Sequence, residues 1–167
     1  MKQLSLILIV LLSFKLYAGQ ASLISLDTDF KGEQIINKTI YISKKERKQY
    51  IMKINAKGRI LDNVTGDLLD TRRLPHGAIM FVYSKEGDIL ISKKRIFLKF
   101  DHSSLVAGDD VIVAGLMKVN RGVIDTVCDS SPMYIAPNKN NLKAFIYKLK
   151  TLGVDTHKLR AFFISNY

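Results

Sequence analysis

Residues that form covalent or metal cross-links are scarce in this sequence. Its 167 residues include one cysteine, three histidines and no tryptophan. The single cysteine, Cys128, excludes a disulfide within the chain, so stability has to come from packing. The histidines, at positions 76, 102 and 157, lie too far apart in the sequence to indicate a metal site. We therefore expect no metal and no cofactor.

Motifs for binding nucleotides or nucleic acids are also missing. The chain has no glycine-rich phosphate loop, no zinc-finger spacing and no recognisable nucleic-acid motif. Positive charge is in excess, because 26 lysines and arginines against 15 acidic residues give a formal net charge of +11. This surplus favours anionic partners such as nucleic acid, lipid head groups or acidic proteins, and it equally serves solubility alone. The basic residues are spread along the chain, so charge by itself does not choose between these interpretations.

The first 18 residues have the pattern of a secretory signal peptide. Lys2 precedes an apolar run from Leu4 to Leu12, and Ala18 is a small residue at the expected cleavage position. Lys15 interrupts the apolar stretch, which leaves it shorter than the ~20 residues that a membrane-spanning helix needs. We expect cleavage near Ala18 or Ala21 and export of the protein to the periplasm or beyond.

The rest of the chain divides into a lead-in over residues 19–57, with short strands, and an α+β domain over residues 58–167. In the lead-in, Thr39–Ile42 is rich in β-branched and aromatic residues and predicts a strand. The charged stretch Ser43–Gln49 fits an anion-binding patch or a solvated helical turn, and we favour the turn. The domain opens with a hairpin, in which the apolar runs Ala78–Tyr83 and Ile89–Ile91 flank a turn at Gly87.

A second hairpin and a helix complete the domain. Val111–Met117 and Val123–Val127 flank an Asn-Arg-Gly turn, and Cys128 follows as a small buried residue. Gly115 inside its strand indicates a bulge or a close backbone approach. Leu142, Phe145, Ile146 and Leu149 form one apolar helix face, with Asn140 or Asn141 as the N-cap. We predict a bent, barrel-like antiparallel sheet packed against this C-terminal helix.

Two polar segments flank the second hairpin and carry residue types that chemical sites use. The first is Asp101-His102-Ser103-Ser104, and the second runs from Ser131 to Tyr134. A nucleophilic serine needs a base and an acid brought together in space, so adjacent residues are a weak signal of catalysis. A turn fixed by bonds from these side chains to the backbone explains the first segment more simply.

In their order along the chain, these segments resemble a module shared by plant IQ-motif calmodulin-binding proteins and by bacterial proteins, some of them toxin- or effector-like. The resemblance spans roughly Leu74 to Leu159. It rests on the segments His102–Gly108, Val111–Gly115, Asn120–Ile124, Ser131 with Tyr134, and Gly153–Asp155.

The chain departs from the family pattern at several positions. Leu116 stands where the family usually has an acid, and Pro132 and Met133 stand where it has glycine and histidine. Pro137 comes one residue late. No calmodulin-binding IQ motif is visible, so the resemblance does not imply calmodulin binding here.

From these features we predict an exported, effector-like binding protein. Ser103, Ser104, Ser131 and Tyr134 are expected to converge on a polar groove, with His102 at its rim. The groove would recognise a protein or another anionic partner. One alternative is a hydrolase or transferase that uses His102 with Ser103 or Ser104, and another is a basic surface that binds nucleic acid or anionic lipid. The pattern favours binding over catalysis.

Overall fold

The computed structural model of the protein describes residues 39–96, 99–134, 136 and 138–164, so the predicted signal peptide and the residues up to 38 lie outside it. The described residues combine short helices with two sheets, which confirms the α+β class. The elements in chain order are α1 (Lys44–Arg47), a 3-10 turn (Lys48–Tyr50), β1 (Lys53–Ile54), β2 (Ile60–Leu61), β3 (Ile79–Ser84), β4 (Ile89–Ser92), α2 (His102–Val106), β5 (Val111–Asn120), β6 (Val123–Cys128), α3 (Lys139–Thr151) and β7 (Arg160–Phe162).

A five-stranded sheet in the order β4-β3-β5-β6-β7 forms the centre of the described part. The pairs β3–β4, β3–β5 and β5–β6 are antiparallel, which confirms both predicted hairpins. β7 lies parallel to β6 and extends one edge of the sheet. Since β4 and β7 lie at opposite ends of this order, the strands form an open sheet rather than a closed barrel. β1 and β2 pair separately as a small antiparallel ladder.

The continuous apolar run of β3 reflects the burial of both its faces. Ile79 and Phe81 contribute to one core cluster, while Met80 and Val82 contribute to another. A strand with one solvated face would instead alternate apolar and polar residues. Each such side chain contributes about 1.5–3 kcal/mol when it is fully buried. Strand β3 therefore needs cover on both sides of the sheet.

Helix α3 supplies the cover on the first face. Its residues Leu142, Phe145 and Leu149 are fully buried, which confirms the predicted apolar face, and the Phe145 ring stacks on Phe81 with centroids 4.1 Å apart. The predicted N-cap was wrong, because the helix begins after Asn138, whose side-chain oxygen accepts the Asn140 N–H at 2.8 Å.

The second face is covered by α2 together with residues of the lead-in. Leu105 and Val106 of α2 pack with Ile42 against the Met80 side of the sheet. The prediction of a strand at Thr39–Ile42 was wrong. The Ile42 N–H donates to the Ser104 carbonyl rather than to a strand. Residues of the lead-in after position 38 thus share a core with the rest of the domain.

The charged stretch after Ile42 forms the solvated helical turn that we favoured. α1 has no buried residue, and the side chains and backbone of Ser43 and Glu46 cap each other reciprocally. Arg47 at its end donates to the Val106 carbonyl and pairs with Asp109 at 2.9 Å. These contacts attach α1 to the loop that follows α2.

Gly115 marks a close backbone approach, as its place inside a strand predicted. A Cβ built at this position would lie 1.9 Å from the carbonyl oxygen of Cys128. The obstacle is backbone of the neighbouring strand, which cannot move aside like the end of a flexible side chain. Any side chain at position 115 therefore forces β5 and β6 apart.

We expect Gly115→Ala to lower the free energy of unfolding by about 3 kcal/mol, because overpacking against backbone lies at the upper end of such costs. Gly66→Ala is the control, since a Cβ there meets no atom within 4 Å. The control carries only the strain of a positive φ, about 1 kcal/mol. Urea denaturation of both variants measures the difference, and equal losses would contradict this account.

Candidate functional site

Helix α2 explains the composition of the first polar segment, which we predicted as a turn. Asp101 is the N-cap, and its carboxylate accepts the Ser103 N–H at 2.8 Å and the Ser103 hydroxyl at 2.7 Å. The Ser104 hydroxyl oxygen accepts the Asp101 N–H at 3.0 Å, which completes a capping box. Aspartate and serine favour both turns and helix N-caps, so the local sequence fits either. Burial of Leu105 and Val106 under the sheet selects the helix.

His102 lies inside the protein and not at the rim of a groove, which corrects our expectation. Its side chain is 1% exposed, and its Nε2 lies 3.0 Å from the Gly115 carbonyl oxygen. Because a carbonyl oxygen only accepts hydrogen bonds, Nε2 carries the proton. Nδ1 is buried and has no hydrogen-bond partner among the described residues. Burial lowers the pKa of His102 to about 4, so the ring is neutral near pH 7.

The second polar segment approaches the first through Tyr134. The Tyr134 hydroxyl donates to the Asp109 carbonyl at 2.9 Å, just beyond α2, and burial raises its pKa to about 12. Ser131 acts locally, because its hydroxyl oxygen accepts the N–H groups of Met133 and Tyr134. The two segments thus lie close together, although this hydrogen bond is solvent-exposed and reaches Asp109 rather than a residue of the first segment.

The five predicted site residues do not line one open groove. His102, Ser103 and Ser104 are buried, while Ser131 and Tyr134 are half-buried. The hydroxyls of Ser103 and Ser104 both bond to Asp101, whereas the imidazole bonds to Gly115. Each group therefore has a structural partner in the described part of the chain, and a role of these residues in binding stays a prediction.

The described residues give little support for a reactive thiol, a metal site or a membrane-spanning helix. Cys128 is 7% exposed, and burial raises the pKa of its thiol, which agrees with the predicted buried small residue. No group of three or more His, Cys, Asp or Glu side chains in the described ranges is placed to hold a metal ion. A helix long and apolar enough to cross a membrane does not occur there either.

A cavity opens where β3 begins and β4 ends. Its volume is about 80 Å³. Apolar side chains of Leu74, Met80 and Leu116 form part of its lining. Its polar lining consists of His76, Ser92, Lys93 and Arg95. Met80 pairs with both Ser92 and Leu116 in the sheet, so three neighbouring strands supply the base of this cavity.

The antiparallel β3–β4 hairpin brings two basic chain segments to this cavity. The first, before β3, carries Arg72, Arg73 and His76, and the second, after β4, carries Lys93, Lys94 and Arg95. Asp70 pairs with Arg72, and Asp62 pairs with Lys93. The two described segments thus bring five arginines and lysines to the neighbourhood of the cavity, and two of these pair with the carboxylates.

Sequence reasoning missed this site, although one signal pointed to it. The basic cluster Lys93–Arg95 directly follows the second strand of a predicted hairpin, and His76 closely precedes the first strand. Since antiparallel strands place these positions at the same end, the hairpin itself predicts that they are neighbours.

This geometry defines a class of protein. It is a small α+β domain with a polar helix cap, a buried histidine and a cationic cavity. The family model of the IQ motif-containing protein middle domain matches residues 46–142, more than half of the chain, and the chain belongs to this family. The match confirms the resemblance that the sequence indicated. No curated protein and no solved structure matches the chain.

The buried His102 predicts a pH dependence of stability. Its folded-state pKa of about 4 lies below the ordinary value of 6.5, so the unfolded chain takes up the proton first as the pH falls. The folded state consequently loses stability between pH 6.5 and pH 4, by as much as about 3 kcal/mol from this group.

His102→Gln removes the titration and keeps an N–H that can reach the Gly115 carbonyl. We expect the unfolding free energy of the wild type to fall more steeply than that of the variant across this pH range, measured by urea denaturation at several pH values. Parallel curves for the two proteins would show that His102 is protonated equally in the folded and unfolded states.

Proposed function

We propose that the protein is an exported, effector-like binding protein that recognises an anionic group of its partner in the cavity at the open end of the β3–β4 hairpin. The observation that carries this proposal is the placement of His76, Lys93 and Arg95 around an open cavity in a positively charged neighbourhood. The residues we first expected to bind are held in caps and packing contacts. The binding function thus moves to a different surface.

The electrostatics of the cavity favour moderate affinity for a single anion. A hydrogen bond to a charged group contributes about 1.5–3 kcal/mol when it is well formed. Lys93 already pairs with Asp62, and solvent screens charges at an open site, so the contribution of each cation lies at the lower end. Burial of the anionic group in the cavity would strengthen its attraction to the cations but would also cost desolvation free energy.

The enzyme alternative receives less support from the same geometry. A general base needs a pKa near the working pH and access to the proton that it removes. His102 has a pKa of about 4 and is buried, and among the described residues its ring bonds to a backbone carbonyl. We therefore propose binding without a catalytic step at α2.

The outer face of α3 favours a second candidate, a basic surface that binds nucleic acid or anionic lipid. The helix contains no acidic residue and exposes Lys139, Lys143 and Lys150 beside Tyr147, which is 69% exposed. No ion pair between described residues includes these lysines. This face would select a partner mainly by charge.

Membership of the IQ motif-containing family is in keeping with a role in protein interactions. Calmodulin is not proposed as the partner, because no IQ motif is visible in this sequence. The proposed partner is an unidentified protein or another molecule that presents a negative charge.

We expect titration with sodium acetate or sodium phosphate, at constant ionic strength and pH against a chloride background, to shift backbone amide resonances around the cavity in a saturable way. The double variant Lys93→Ala with Arg95→Ala should weaken this binding by about tenfold, since two cations are lost. The matched control, Lys143→Ala with Lys150→Ala, removes the same charge from α3 and should bind as the wild type does. Nuclear magnetic resonance spectra of the three proteins provide the measurement.

Two results would count against the cavity. Equal weakening in the control would favour the basic surface of α3, and non-saturating shifts near all exposed lysines would leave the cavity without specific affinity.

Export is a separate proposal with its own test. Expression with the native N-terminus in a bacterium is expected to yield a periplasmic or secreted product that begins just after Ala18 or Ala21. Intact mass spectrometry identifies the new N-terminus. Replacing Leu8 and Leu11 by Arg interrupts the apolar run and should abolish processing. A full-length product retained with the cells would refute the signal-peptide assignment.

A further inference from the structure

We infer that the anion received by the cavity is a carboxylate carried on a short aliphatic chain. This inference rests on the proposed function, because it names the chemical class of ligand for the same site. It follows from the apolar part of the lining, the cationic groups beside it, the hydrogen bonds that already occupy the Ser92 hydroxyl, and the volume of the cavity.

The base of the cavity is apolar. Leu74, Met80 and Leu116 line it, and Met80 and Leu116 pair directly across β3 and β5. A carbon chain gains about 0.8 kcal/mol for each CH₂ that it buries on such a surface. A ligand made only of polar atoms would lose hydration there without replacement. The ligand therefore combines an apolar part with its charge.

The hydroxyl of Ser92 does not act as a recognition group. It donates to the Lys94 carbonyl at 3.2 Å and accepts the Lys94 N–H at 3.1 Å. Both of its hydrogen-bonding roles are thus filled within the chain. Charge recognition falls to Arg95 and Lys93, with His76 beside them.

The apolar base of the cavity, rather than its cationic groups, favours a carboxylate over a phosphate. The planar guanidinium of an arginine forms bidentate pairs with both kinds of anion. A phosphate presents more oxygens around a tetrahedral centre, and in this cavity some of them would face Met80 and Leu116. Buried polar oxygens without partners carry a desolvation penalty of about 1–3 kcal/mol each.

The volume restricts the chain length. About 80 Å³ exceeds the 10–15 Å³ that one water requires, so a small organic group fits and a large ring system does not. A branched chain of about four carbons beside the carboxylate meets these limits. The same chemistry occurs in a free short-chain acid and in the C-terminal residue of a peptide that ends in leucine or valine.

The inference is tested by titrating the full chain with isovalerate, acetate, isovaleramide and inorganic phosphate at constant ionic strength. Amide resonances of residues 74, 76–78, 92–95 and 116 report binding at the cavity. We expect isovalerate to bind at least about tenfold more tightly than acetate, because its extra carbons bury against the base. Isovaleramide, which is isosteric and neutral, should bind at least about tenfold more weakly than isovalerate. Dissociation constants in the millimolar range are expected for ligands of this size.

The outcomes separate the two proposals. If phosphate and acetate bind as tightly as isovalerate, the anion site stands and the aliphatic class is overturned. If isovaleramide binds as tightly as isovalerate, charge is irrelevant and the proposed function fails as well. If no ligand shifts these resonances, both proposals are refuted.

Two peptides distinguish the sources of the carboxylate. Acetyl-Gly-Leu with a free carboxylate should bind more tightly than isovalerate if the cavity reads a peptide C-terminus, and its C-terminal amide should not bind. Equal or weaker binding of the free-carboxylate peptide assigns the site to small acids.

A substitution in the base provides an independent check. Leu116→Asp places a negative charge beneath the ligand and should abolish isovalerate binding, whereas Leu116→Ala should weaken it several-fold through lost apolar contact. Far-UV circular dichroism establishes that each variant is folded. If Leu116→Asp perturbs the fold, the isovalerate affinity of Leu116→Ala is compared with that of the α3 double variant. Equal affinities of these two variants for isovalerate would overturn the role of the apolar base.

Discussion

The absence of a side chain at position 115 is the constraint on which the architecture depends. Gly115 lies on the central strand β5, where the backbone of β6 crosses close to it at Cys128. Its carbonyl oxygen meets the ring of His102, which attaches α2 to the sheet. The next residue, Leu116, contributes to the base of the cavity. A single glycine thus connects the pairing of the strands, the position of the covering helix and one wall of the candidate site.

This arrangement assigns different tasks to the two faces of the sheet. The face under α3 is a purely apolar core in which Phe81 and Phe145 stack. The face under α2 combines apolar contacts with capping bonds and a buried neutral histidine. Met80 and Leu116 of this face also line the cavity. Cationic segments converge there because the hairpin returns the chain to the same end of the sheet.

The sequence was sufficient for those parts of the fold that local patterns determine. Both hairpins followed from apolar runs around turn residues, and the buried face of α3 followed from helical spacing. The short helix at His102 could not be told from a turn, because Asp101 and Ser104 favour both and the decision rests on burial under distant strands. The burial of His102 depends on the carbonyl of Gly115, thirteen residues further along. The parallel pairing of β7 likewise depends on the path of α3, which no local pattern encodes.

The candidate site was harder to predict, since its residues belong to segments that carry no recognised motif. His76 and Arg95 become neighbours only through the register of β3 and β4. By contrast, of the two polar segments that resemble chemical motifs, the first caps α2 and the second forms a local turn through Ser131. Residue types shared by catalysis and by helix capping are ambiguous until the fold shows whether solvent reaches them.

The burial of Cys128 has a consequence for the route that we propose for this chain. An exported protein passes through an oxidising compartment, where an accessible lone thiol forms mixed disulfides or links two copies covalently. With only 7% of the residue exposed and with a raised thiol pKa, Cys128 supplies little thiolate to such reactions. The folded chain therefore keeps its only sulfhydryl reduced without a second cysteine to protect it, and an unfolded copy is vulnerable to crosslinking.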